Sequence, residues 1–335
     1  VSQENHDAIP LTTRELSDLT GLAVGAVELL LGPESTVSLT AATTGAAAEG
    51  VRRFLEGRGV SYHPRIIAHT TMRGGIGKTT ATISFAVRAA QYGFKVCIID
   101  LDPQAASTLA FNAVPAEGDP IFYDIWQRPA EFLPDALKPI RANLAILPSA
   151  LENALLDTGL INPGSQKKAV KGVCEVLTAC GYDTIVIDCP PSLGIAVISA
   201  ICASDITVVP VGGDAFSLRG LEITLKEIAS IRDTFGLAMP EIRLLFTRLD
   251  RREKVSQEAL ASLRVRYPNL PLTVIGTSSE FSKALATGKT IFSSFRKSQA
   301  RDDYDRYVRD VLGISAVQQE TQAEGRKQDD RRDEK

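Results

Sequence analysis

The sequence has no apolar run of the length that a membrane span requires; its most apolar stretch, Ile195 to Ala203, is about half of the ~20 residues needed. It also has no CxxC pair. Its five cysteines (Cys97, Cys174, Cys180, Cys189 and Cys202) are odd in number and unevenly spaced, which argues against a disulfide framework and for small buried hydrophobes in a reducing compartment. Residues 1–10 carry neither a basic flank nor an apolar core, so no secretory signal is expected there. Net charge is nearly absent at −3, so any electrostatic signal must come from its distribution. What is present, 44% hydrophobic and 23% charged residues over 335 positions, argues against a wholly disordered or fibrous chain. The length allows one large α/β domain plus something small.

The charge is unevenly spread. Residues 80–218 carry 8 basic against 14 acidic side chains, whereas residues 219–309 carry 17 against 11, an excess of +6. Such a stripe is a candidate footprint for a polyanion, and scattered helix-surface Arg and Lys explain it equally well. From Arg65 onward, short apolar runs alternate with helical stretches, the order of a mostly parallel twisted sheet covered by helices on both faces. Strands are expected at 65–70, 95–100, 144–147, 183–188, 206–210, 242–247 and 272–275. Helices are expected at 78–92, 169–180, 193–202, 217–235, 257–266 and 301–312. Residues 1–63 read as a small helical module, 64–315 as the α/β core, and 316–335, with six acidic and five basic side chains and almost nothing apolar, as a disordered tail.

One segment carries phosphate chemistry. The strand Ile66-Ile67-Ala68-His69 runs through Thr70-Thr71-Met72-Arg73 into Gly74-Gly75-Ile76-Gly77-Lys78-Thr79-Thr80 and a helix. Glycines let successive N–H groups point at phosphate oxygens, the helix N-terminus adds positive potential, Lys78 can reach the β/γ-phosphates and Thr79 can ligate Mg²⁺. The common pattern wants glycine six residues before the lysine, where Met72 stands.

The deviant form, with a basic residue before paired glycines, resembles the ParA/MinD family of P-loop ATPases. Asp100-Leu101-Asp102-Pro103-Gln104 resembles that family's second motif, and Thr184 to Asp188 followed by Cys189-Pro190-Pro191 resembles its Walker B strand. The resemblance covers roughly residues 64–313 and implies a P-loop fold, ATP and Mg²⁺ as cofactors, and weak ATP hydrolysis until stimulated. It implies that Gly74, Gly75, Ile76, Gly77, Lys78, Thr79 and Thr80 hold the phosphates, and that Thr79 and Asp188 hold the metal. Lys78, Asp102 and Arg73 are the expected catalytic residues, with Asp102 orienting the attacking water. Asp100 is expected to support the magnesium shell, although a strand-end or capping role would serve it as well. Pro103 and Gln104, with Ser107, resemble the nucleotide-sensing switch.

Two departures stand out. The family's basic residue before the glycines is a lysine that reaches across a nucleotide-sandwich dimer to the partner's phosphates, and here it is Arg73, a planar fork in place of a point charge. The family's proline after the 272–275 strand is Gly276, which leaves Thr247 and Arg248 as the nearest adenine candidates.

Relatives of partition type bind nonspecific DNA as ATP dimers and are reset by a ParB-like centromere-binding partner. Arg219, Arg248, Arg251, Arg252 and Lys289 are the expected DNA contacts, with Lys254, Lys283, Arg296 and Lys297 further candidates. The membrane-bound relatives end in an amphipathic helix, and Gln318 to Lys335 offers no apolar face for one, so no membrane partner and a cytoplasmic, nucleoid-associated location are expected. Leu11 to Leu31 fits a helix-turn-helix and resembles the N-terminal extension of the larger, SopA-like partition ATPases. Its second helix is a poor base reader, with only Glu28 polar, so a packing or dimerisation module is an equal reading, and Arg52, Arg53 and Arg58 are its remaining DNA candidates. The expected function is an ATP-dependent DNA partition ATPase. Alternatives are a positioning ATPase for a protein cargo, an ATP-switched autorepressor and a small-molecule enzyme on the same scaffold.

Overall fold

In a computed structural model, which describes residues 10–287 and 289–314, the apolar runs assemble into one eight-stranded sheet. The tail expected to be disordered lies outside the described residues. In chain order the strands are β1 (Leu11–Thr12), β2 (Thr36–Thr40), β3 (Thr43–Ala46), β4 (Arg65–His69), β5 (Val96–Asp100), β6 (Lys138–Arg141), β7 (Leu144–Leu147), β8 (Thr184–Asp188), β9 (Ile206–Val211), β10 (Glu241–Leu249) and β11 (Leu272–Gly276). The large sheet runs β11-β10-β9-β4-β8-β5-β7-β6, parallel throughout except for β6, which pairs antiparallel with β7 at the edge. All seven expected strands are there. β6 was not expected, because its Lys138, Pro139 and Arg141 mark an edge strand rather than a buried one.

Strands buried on both faces sort their side chains by alternation. Ile67, Val96, Ile98 and Val186 face one core, shared with the helices Lys78–Gln91 and Gln299–Leu312. Ala68, Cys97, Ile99, Ile185 and Ile187 face the other, against Pro163–Ala179, Ile195–Ala203 and Ala215–Thr234. The strand order reverses direction around β4, which pairs with β8 on one side and β9 on the other. A crevice at the carboxyl ends of the strands beside such a reversal is where α/β sheets place ligands.

The N-terminal module corrects the helical reading. At its start two helices, Thr13–Thr20 and Val24–Leu31, are joined through Gly21 at φ 74°, with Ser17 Oγ donating to the Leu22 carbonyl at 2.6 Å. They are followed by a hairpin, and β1, β3 and β2 form a three-stranded antiparallel sheet. Thr36–Thr40 alternates polar with apolar as Thr-Val-Ser-Leu-Thr, a strand signal the helical reading passed over, whereas Thr43–Ala46 is small and polar and carries none.

The module shares its core with the α/β domain. Leu11, Leu16, Leu19, Val27, Val51 and Leu55 pack in one cluster with Phe85, Tyr92 and Phe94. Glu15 joins the two electrically. Its Oε2 accepts from the Thr12 backbone N–H at 2.9 Å, closing a capping box on its own helix. Its Oε1 accepts from Arg88 at 2.9 Å and Arg301 at 2.6 Å, and Arg88 continues to Asp305 at 2.6 Å. Burial pushes the Glu15 carboxyl up, but Arg88 and Arg301 more than reverse that and hold it at about 2. A second bridge runs from Arg52 to Asp183 at 2.6 Å. Arg53 pairs with Glu49 and Ser35, and Arg58 folds over the Phe54 ring, so Arg52, Arg53 and Arg58, the module's DNA candidates, all have partners within the chain.

Candidate nucleotide-binding site

The chain leaves β4 at His69 and turns through Thr70 to Gly77 into the helix Lys78–Gln91. Gly75 and Gly77 sit at φ 75° and 87°, where side chains other than glycine's are strained. A Cβ placed on Gly74 or Gly75 would meet nothing within 4 Å. The loop therefore presents open space above backbone N–H groups and a helix N-terminus, which suits phosphate oxygens. Met72, half-buried, takes the place of the usual first glycine without closing that space. From below, Thr247 braces the loop: its hydroxyl donates to the Ile76 carbonyl at 2.7 Å and lies 3.3 Å from the Val211 carbonyl.

At the centre lies a buried charge cluster. β4, β8 and β5 run side by side and put His69 opposite Asp188, and Asp188 opposite Asp100. Lys78 Nζ donates to Asp188 Oδ1 at 2.6 Å and lies 3.9 Å from Asp102 Oδ2. Burial lowers the ammonium's pKa, but Asp188 more than offsets this and holds it above the usual lysine value. The other Asp188 oxygen accepts from Ser107 Oγ at 2.7 Å. Asp100 accepts from the backbone N–H and the hydroxyl of Thr108 at 2.9 and 2.8 Å. Burial, reinforced by the neighbouring Asp188, pushes its carboxyl up to about 7. Asp102 accepts from the Gln104 N–H at 3.0 Å, which fixes the turn after β5, and Ala105 follows at φ 52°. His69 Nε2 meets Tyr307 Oη at 2.7 Å, and burial lowers its pKa to about 3, so it stays neutral.

The expected site residues come together only in part. Lys78, Asp100, Asp102 and Asp188 form one cluster, with Thr79 and Thr80 half-buried at the helix start. Arg73 is turned onto its own chain, where Nη1 donates to the Asp214 carboxylate and, at 2.7 Å, to Ser217 Oγ. Arg219, Arg248, Arg251, Arg252 and Lys289 are all exposed, Arg248 near the carboxyl end of β10 and the others on segments that follow β9, β10 and β11. Arg252 is paired with Asp250 at 2.7 Å. Thr82, Thr108, Asp214 and the His69–Tyr307 pair were not expected. Of these only Asp214 had a sequence signal, as an N-cap preceding a helical run.

The residues fit a nucleotide with magnesium. No group of three or more His, Cys, Asp or Glu side chains is placed to hold a metal among the described residues, so a cation here needs phosphate oxygens besides Thr79 and Asp188.

Residues 64–241, more than half of the chain, match the model of the AAA domain family. Soj of Bacillus subtilis, a sporulation initiation inhibitor protein, is 29% identical over 249 residues, covering 74% of this chain and 98% of Soj. The chromosome partitioning protein ParA of Caulobacter vibrioides is 25% identical over 250 residues, covering 74% of this chain and 94% of ParA. Among solved structures, the ATP complex of a McdA variant from Cyanothece superposes with a TM-score of 0.67 at 22% identity, over 75% of this chain and 97% of McdA, which shows a shared fold. With its loop, its Asp188 strand and these relatives, the chain belongs to the AAA-domain P-loop ATPases of ParA/MinD type.

Proposed function

We propose that the protein is a DNA partition ATPase that binds ATP and Mg²⁺, pairs with a second copy over the nucleotide, and as a dimer binds DNA irrespective of sequence until a ParB-like protein stimulates hydrolysis. The observation that carries this reading is the Lys78–Asp188 contact, flanked by Asp102. Lys78 is already aimed into the cradle, and exchanging Asp188 for phosphate oxygens moves its charge onto the nucleotide. That exchange frees Asp188 to face Thr79. Thr79 and Asp188 would hold magnesium there, which would supply positive charge to offset that of the phosphates. Asp102, carried on the switch segment, is the acceptor available to orient a water against the γ-phosphate.

The cationic excess of residues 219–309 supports DNA as the polyanion, with Arg219, Arg248, Arg251, Arg252 and Lys289 on one end of the sheet. The helix-turn-helix supports operator reading less well. No lysine or arginine occurs between Arg14 and Arg52, and Leu29 and Leu30 stand exposed where a base reader would carry polar groups. A gel shift with random duplex DNA tests the reading. ATP and Mg²⁺ should induce binding that weakens steeply between about 50 and 200 mM salt, by roughly 10³ if six or more phosphates are neutralised. Equal, weak binding with and without ATP at low salt would overturn it.

A further inference from the structure

Arg73 stands where the resemblance expects a lysine, and the structure gives it an anchor. Its Nη1 donates to Asp214 and Ser217, while Nη2 and Nε have no hydrogen-bond partner among the described residues. The anchor is itself fixed. Asp214 is the N-cap of the helix Ala215–Thr234 and accepts from the Ser217 N–H at 3.0 Å and from Ser217 Oγ at 2.8 Å. Gly212 leaves the room for this arrangement, because a Cβ there would come within 2.9 Å of Ser217 Oγ.

We propose that Asp214, with Ser217, is a positioning residue that holds one corner of the Arg73 guanidinium so that its free edge is presented to a phosphate of a second copy. This rests on the reading above that two copies pair over ATP. The chemistry favours arginine for such a post. An ammonium is a single charge centre, and a carboxylate in contact with it takes the charge whole. A guanidinium carries five donors in a rigid fork, so it can keep the carboxylate on one amino group and address phosphate oxygens with the others. Both side chains of the pair are about two-fifths exposed, so the pair is screened by solvent and contributes little to folding; its function lies in orientation.

The test compares full-length variants in ATP affinity, ATP-induced dimerisation by ultracentrifugation and single-turnover hydrolysis. Asp214→Asn removes the charge but keeps the helix cap, since asparagine caps as well as aspartate. It should leave ATP affinity within about twofold and slow hydrolysis about tenfold, as expected when a transition-state contact is loosened. Arg73→Lys should be slowed at least as much, because Asp214 captures the ammonium. The double variant Arg73→Lys/Asp214→Asn should be faster than Arg73→Lys alone, a rescue that a merely structural role would not produce. Parent-like hydrolysis in Asp214→Asn, or no rescue in the double variant, overturns the assignment. Arg73→Ala tells the two readings apart. If it dimerises on ATP and hydrolyses like the parent, the action of Arg73 across the pair falls. If it fails while Asp214→Asn is unaffected, only the role of Asp214 falls.

Discussion

Lys78 illustrates how much one contact decides at the scale of the residue. Its ammonium is the main charge compensating Asp188, a fully buried carboxylate, so the side chain proposed to bind the nucleotide also serves the fold of the free protein. Lys78→Ala should therefore do two things. ATP affinity should fall by at least about 100-fold in calorimetry, and the nucleotide-free fold should lose about 3–5 kcal/mol in urea titration, because a buried charge is left without its partner. Lys78→Ala/Asp188→Asn should recover most of the stability and none of the affinity. The cradle residues were legible in the sequence because the loop is local: glycines, lysine and threonine act within one turn of chain. Asp214 reaches Arg73 from 141 residues away, and Ser107 reaches Asp188 from 81, which no spacing along the chain announces.

At the scale of the element, legibility followed burial. Strands covered on both faces read as apolar runs, and every one of them was found within a residue or two. β6 and β3 carry polar or small residues, so their pairing partners, rather than their own composition, make them strands, whereas β2 alternates polar with apolar residues over only five positions. The end of the helix Lys78–Gln91 offers a test of how closely elements are fitted. Gly93 sits at φ 87°, and a Cβ there would come within 2.6 Å of the Ala48 carbonyl and 2.8 Å of the Arg52 amide, both on the module's third helix, Ala48–Glu56. Gly93→Ala combines left-handed strain with a backbone clash and should cost roughly 2–4 kcal/mol. Hydrogen exchange should show the loss of protection centred on Ala48–Glu56, with β4, β5 and β8 little changed.

For the molecule as a whole, acid is the probe that separates the parts. Glu15 has its pKa lowered from 4.5 to about 2, so its stabilisation is complete above pH 4.5 and is lost as pH falls toward 2. That shift corresponds to about 3 kcal/mol. Glu15→Gln should lose that much at neutral pH and show a flatter dependence between pH 4.5 and 2 than the parent, read from urea midpoints across that range. Nothing in the sequence marked Glu15 beyond its capping box, because Arg88 and Arg301 come to it from the ATPase.

The same joint bears on how such proteins are assembled over evolutionary time. One oxygen of Glu15 belongs to the module and the other to the helices beneath it, and Arg88, Asp305 and Arg301 lie on those helices. A module moved onto an ATPase without counterparts of Arg88 and Arg301 would arrive with a buried carboxylate and no counter-ions to receive it. An ATPase stripped of its module would leave Arg88 beside bare apolar surface. A fusion made at residue 63 would thus cut through the joint, which needs the module together with the outer faces of the two helices that carry Arg88, Arg301 and Asp305.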